Sequence, residues 1–217
     1  MDYKSQTCCF TGHRDIAPYT PDTVFEQTKS VVTLLVSKGF KYFGTGGALG
    51  FDTIAAQAVL SVKETHPEVK LILVLPCENQ TKYWKQQDID VYNDIKLRAD
   101  KVKVLAPHYY NGCMQKRNRH LVDCSSACIC FLTKHEGGTA YTVDYAKQKG
   151  LDIINVVEEI EGYPAIKDSA DLEFLSTPQC KVRNSSYEFA VISKNKILRD
   201  FSKTSLIPLY VNIKKRT

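Results

Sequence analysis

Short apolar runs alternate with longer stretches of helical period along residues 1–157. The runs Gln6–Thr11, Lys41–Gly44, Lys70–Leu75, Val102–Leu105, Ala127–Leu132 and Asp152–Val156 read as strands. Asp22–Ser37, Phe51–Thr65, Asp88–Arg98, Met114–Cys124 and Thr139–Lys149, which lie between them, read as helices. The strand runs are apolar throughout instead of alternating, as strands covered on both faces should be. The alternation of strand and helix predicts an α/β, Rossmann-like fold: a mostly parallel sheet with helices on both faces. Boundary residues agree. Thr20-Pro21-Asp22 opens the first helix, Gly39 and Gly150 suit left-handed stops after the first and fifth, and Pro67 ends the second. After Val156 the pattern weakens, which predicts a domain over residues 1–157 and a small C-terminal extension over 158–217. Glu158–Cys180 reads as loop, and Tyr187–Ile192 and Ile207–Ile213 as the strands of a β-hairpin with a turn near Asn195.

Composition narrows the class. At 217 residues with 43% hydrophobic content the chain can bury a full core. Its longest apolar runs are too short to cross a bilayer, and its start carries no secretory pattern, so no membrane association is expected. Eight cysteines without such a pattern point to a reducing cytoplasm, not a disulfide scaffold. Cys124, Cys128 and Cys130 lack the paired spacing of a metal knuckle, and the last two sit in an apolar run, so no metal is expected. The net charge of +5 is uneven. Residues 181–217 hold nine Lys/Arg against two Asp/Glu, and residues 158–180 one against six, leaving +3 for residues 1–157. The basic tail is either a solvated surface or a contact for nucleic acid.

In an open parallel sheet, ligands bind beyond the carboxyl ends of the strands, so the residues just after each strand are the candidate site. Thr11-Gly12-His13-Arg14 follows the first and offers donors to an anion. Gly44-Thr-Gly46-Gly47-Ala-Leu-Gly50 follows the second and leads into Phe51-Asp52. Four glycines in seven residues before a helix are costly to order and suit a turn whose amides face a phosphate. Asp52 there caps the helix or holds a ligand hydroxyl. Pro76-Cys77-Glu78-Asn79 follows the third, with Tyr83 and Trp84 placed either to stack a base or to pack on the core. Lys116, Arg117 and Arg119 crowd the start of a helix, where cations oppose the macrodipole unless an anion lies nearby. Gly137-Gly138-Thr139 opens the helix after the fifth strand as a second phosphate cradle, with Asp144 one to two turns on.

Taken in order, Cys8-Cys-Phe-Thr-Gly-His-Arg14, Gly46-Gly-Ala-Leu-Gly-Phe-Asp52, Tyr83-Trp-Lys85, Arg117-Asn118 and Gly137-Gly-Thr139 resemble the YpsA-like family of the SLOG superfamily, over residues 1 to about 157. That superfamily also holds DprA and the Lonely Guy phosphoribohydrolases. The resemblance implies a nucleotide-derived ligand bound by Thr11, Gly12, His13, Arg14, Gly46, Gly47, Gly50, Asp52, Glu78, Trp84, Arg117, Asn118, Gly137, Gly138 and Thr139. It implies no cofactor, and by analogy a homodimer. Met114-Gln-Lys-Arg117 matches the Lonely Guy Met-x-x-Arg segment. The Pro-Gly-Gly-x-Gly-Thr-x-x-Glu loop is only partly matched by Glu136–Asp144, with Asp144 at the glutamate position. Arg117 and Asp144 would then be the catalytic pair of any N-glycoside hydrolysis.

Three functions follow for comparison. The first is a nucleotide-binding sensor or regulator, favoured by the three glycine-marked turns. The second is a nucleoside-phosphate N-glycoside hydrolase in which Asp144 stabilises an oxocarbenium-like sugar. The third is DprA-like nucleic-acid binding, which the modest charge of the first 157 residues disfavours.

Overall fold

The computed structural model describes residues 2–161 together with two short strands, Ile192–Ser193 and Lys196–Ile197, which pair antiparallel. The rest of the expected C-terminal hairpin lies outside the described residues. In chain order the elements of the first unit are β1 (Thr7–Gly12), α1 (Pro21–Ser37), β2 (Tyr42–Thr45), α2 (Phe51–Thr65), β3 (Lys70–Leu75), α3 (Gln86–Arg98), β4 (Lys101–Val104), α4 (Cys113–Asp123), β5 (Ala127–Phe131), α5 (Gly137–Gln148), β6 (Asp152–Asn155) and α6 (Val156–Glu161). The six strands form one sheet in the order β4-β3-β2-β1-β5-β6, every neighbouring pair parallel. This is the α/β, Rossmann-like architecture expected from the alternation.

Period-two alternation on the central strands separates two apolar layers. Cys8, Phe10, Phe43, Leu71 and Leu73 face a core shared with α1, α2, α3 and α6. Cys9, Val74, Cys128 and Cys130 face α4 and α5. Helix α2 lies close because Ala55, Ala56 and Ala58 are all fully buried. Helix α1 begins as its sequence indicates: Pro21 occupies the first turn and the Thr23 amide donates to Thr20 Oγ1 at 3.2 Å. Burial pushes the Cys130 thiol up to about 12, with the Glu158 carboxylate adding to it, so this sulfur stays a protonated core group.

Two expectations need correction. Val156 ends no strand, and the acidic stretch after it does not begin as loop, because Val156–Glu161 is helical and the first compact unit runs to residue 161. Asn155 starts the helix. Its Oδ1 accepts from the Val157 amide at 3.4 Å, and Glu158 and Glu159 in the first turn complement the helix dipole. Strand β4 is not doubly buried either. It lies at the sheet edge, where exposed Lys101 and Lys103 guard against edge-to-edge pairing. Among the described residues no helix is long and apolar enough to cross a membrane.

Candidate functional site

Strand order reverses at β1: the chain moves through β2, β3 and β4 on one side, then returns to β5 and β6 on the other. The crevice of such a sheet opens between the carboxyl ends of β1 and β5, and Gly12 and Phe131 are paired there. His13 ties this edge together. Its amide donates to Phe131 O at 3.3 Å, its carbonyl accepts from the Phe51 amide at 3.1 Å, and its Nε2 accepts from the Lys134 amide at 3.4 Å. Thr11 is buried below it and Arg14 is exposed beside it. Gly12 is required by close approach, since a Cβ would stand 2.5 Å from Phe51 Cβ and Cγ.

Burial, then the charge of Lys134, lowers the His13 pKa, with Asp15 opposing. The unfolded chain therefore holds a proton on His13 that the folded chain refuses. Stability contributed by neutral His13 is present above the ordinary histidine pKa of about 6.5 and is lost as pH falls from there toward the lowered folded value. His120 is lowered likewise, by burial and then Lys103. A pH series of urea midpoints should fall below about pH 6.5 in the wild type and fall less in His13→Gln. Identical slopes would remove His13 from the account.

The β2–α2 turn carries its own anion. Asp52, at the second position of α2 and 6% exposed, accepts from the Ala48 amide at 3.2 Å and from Arg117 Nη1 at 3.0 Å. Two first-turn amides of α2 are also engaged, Phe51 with His13 O and Thr53 with Gly50 O. Arg117 reaches the turn from α4 and lies on Gly46, where a Cβ would coincide with its Nη1. Gly47 and Gly50 hold φ values of +61° and +80°. The cations expected to conflict with the α4 dipole thus divide. Arg117 finds Asp52, whereas Arg119 faces outward with Nε 2.7 Å from the Tyr141 hydroxyl.

The first turn of α5 is built differently. Glu136 makes no side-chain cap, no described residue accepts from the Gly137 or Gly138 amide, and both glycines are exposed. Thr139 is buried at the third position. Asn118 Nδ2 donates to Thr142 Oγ1 at 2.8 Å, and that hydroxyl donates to Gly138 O at 2.7 Å, so Asn118 braces this turn.

Arg117 and Asp144, the expected catalytic pair, lie on α4 and α5, and the carboxylate that Arg117 contacts is Asp52. Tyr141, Thr142 and Tyr145 of α5 contact α4, and Asp144 is exposed. Glu78 is exposed and contributes its amide, which donates to Ala106 O at 3.2 Å. Trp84 is half-buried, edge-on to Tyr92 at 5.5 Å between ring centroids, whereas Tyr83 is 89% exposed. Sequence reasoning missed Gln80, whose Nε2 donates to Gly47 O at 2.7 Å. The basic stretch 181–217 falls largely outside the described residues, and the nucleic-acid expectation with it.

The profile of the YpsA family, described as the YspA SLOG family, matches residues 20–157, and the chain belongs to that family. It is 30% identical over 128 residues to UPF0398 protein BH1768 of Halalkalibacterium halodurans, covering 58% of this chain and 66%, just under two thirds, of that one. It is 33% identical over 135 residues to the uncharacterized SPbeta prophage-derived protein YoqJ of Bacillus subtilis, covering 56% of this chain and 79% of that one. Its fold is similar to that of DNA processing protein A from Streptococcus pneumoniae, with a TM-score of 0.51 at 18% identity over 70% of this chain and 50% of that one.

Proposed function

We propose that this protein binds a nucleotide or nucleotide-derived phosphate in the crevice at the carboxyl edge of its sheet, as a sensor or regulatory protein. The observation that carries this reading is Arg117: a guanidinium 6% exposed at that edge, held by Asp52, with its buried Nε unpartnered. A buried charged donor left without a partner costs free energy that a ligand can recover. The open amides of Gly137 and Gly138 at the start of α5 supply the phosphate position, where unpaired N–H groups and the dipole favour an anion. His13 and Arg14 line the β1 side of the crevice.

Binding is favoured over N-glycoside hydrolysis. A carboxylate serving an oxocarbenium-like sugar must be held in place, and Asp144 is an exposed residue of α5, whereas Arg117 is buried against Gly46 and Asp52. Asp52 is already engaged by the Ala48 amide and Arg117.

The test is thermal unfolding against nucleosides, mono- to triphosphates, dinucleotides and ADP-ribose, with Gly138→Asp alongside. A ligand at 100 times its Kd stabilises by about 2.7 kcal/mol. A Cβ on Gly138 meets nothing within 4 Å, and an acid in a first helical turn is favourable, so this variant should fold while repelling phosphate. Stabilisation by a phosphate-bearing ligand in the wild type and its loss in Gly138→Asp is the expected result. No stabilisation by any ligand would sink the proposal.

A further inference from the structure

Two buried side-chain polar atoms among the described residues have no hydrogen-bond partner, Arg117 Nε and Gln80 Oε1. They come from different elements, α4 and the β3–α3 connection, yet their side chains abut adjacent residues of one turn, Gly46 and Gly47. Arg117 lies on Gly46, where a Cβ would stand 2.7 Å from Nε. Gln80 Nε2 donates to Gly47 O at 2.7 Å. That bond also fixes which end of the amide is oxygen, since the flipped orientation would set two acceptors against each other.

One orphan is a charged donor and the other a neutral acceptor. A phosphate satisfies only the first, because its oxygens are acceptors and would repel Gln80 Oε1. The turn is also already supplied with an anion, since the Ala48 amide that would greet a phosphate is occupied by Asp52. A hydroxyl satisfies both, offering a lone pair to Arg117 and its proton to Gln80.

We infer that the Gly46–Gly47 turn, flanked by Arg117 and Gln80, is a sugar-hydroxyl subsite, with Gln80 as its specificity-determining residue. The inference rests on the nucleotide-binding reading above and reassigns this turn from phosphate to ribose, leaving the phosphate to the start of α5. Gln80 sits in a run of turns between β3 and α3, outside any helix or strand, so its amide can swing aside to admit the sugar and close over it. The glycines at 46 and 47 keep the approach clear of side chains. A Cβ at 47 would press on Leu75 at 3.2 Å and Tyr92 at 3.4 Å, and one at 46 would displace Arg117.

The experiment measures affinities of the four ribonucleoside monophosphates and their 2′-deoxy and 3′-deoxy counterparts by calorimetry, for the wild type and for Gln80→Met. The wild type should bind the best ribonucleotide at least about tenfold more tightly than one of its deoxy counterparts, since the missing hydroxyl leaves a buried donor and acceptor unpaired. Gln80→Met should bind the two within about twofold of each other. If Gln80→Met does not fold, Gln80→Asn, one methylene shorter, should show the same loss of discrimination. Equal ribo and deoxy affinities in the wild type would overturn the hydroxyl subsite and leave the phosphate site standing. Discrimination kept in both variants would overturn the role of Gln80. No binding of any nucleotide would overturn the parent reading and this one together.

Discussion

Arg117→Met should destabilise the unliganded protein by about 3–5 kcal/mol, and Arg117→Met combined with Asp52→Asn should be more stable than Arg117→Met alone. The two side chains are each 7% exposed and 3.0 Å apart. Removing the guanidinium leaves a carboxylate in the interior with only the Ala48 amide for company. The cost is mainly that uncompensated charge, and it exceeds what the intact pair adds to the fold. Asparagine at 52 removes the charge yet keeps an oxygen for Ala48, so the second substitution relieves the first. Urea denaturation of the wild type, both single variants and the double variant gives the coupling directly, provided the m-value is unchanged. A double variant as unstable as the sum of the singles would mean that Arg117 and Asp52 do not depend on each other. If Asp144 were the true partner, Asp144→Asn would reproduce the loss. It is expected to change stability by no more than about 0.5 kcal/mol, as exposed substitutions do.

That pair marks where reading the sequence stops. The element order was legible because the signals are local. Phe51–Thr65 and Lys70–Leu75 have the bounds expected of them, since Gly50 and Pro67 punctuate a helix whose apolar face repeats at 3.6 and the strand after it is apolar almost throughout. Helix α6 escaped because an acidic run reads as solvated loop, while its cap is a side chain, Asn155, at the end of a strand. The glycine turns after β1, β2 and β5 were legible as a candidate site because strand–helix alternation puts those turns at one edge. The contacts each turn makes were not. Asp52 and Arg117 are 65 residues apart and meet through the sheet order, whereas the matching of a known loop drew attention to Asp144. A cation-loaded α4 start and an acid in the α2 start were each visible, and the demand of the first for an anion was the one signal that they belong together. Gln80 gave no signal at all. A neutral residue in a polar connection becomes informative only when its oxygen is found buried without a partner.

Gly50→Ala should cost roughly 2–6 kcal/mol, enough to leave a typical domain partly unfolded at 25 °C. Two penalties combine there. The residue precedes α2 at φ +80° and ψ −126°, a region nearly closed to L side chains. An added Cβ would also overlap Arg14 O and stand 2.5 Å from Arg14 Cα, a backbone obstacle that no rotamer change can remove. Because Arg14 continues the β1 loop, the strain passes to His13, whose carbonyl and ring join β1 to α2 and β5. The control is Gly39→Ala, at φ +93° with nothing within 4 Å of a Cβ, which carries the backbone penalty alone and should cost only about 1–2 kcal/mol. Urea midpoints of the two variants should therefore separate by the steric part together with the harsher backbone penalty at Gly50. If they coincide, the β1 and β2 loops have room to move apart, and the close packing of Gly50 on Arg14 is not what holds the crevice in shape.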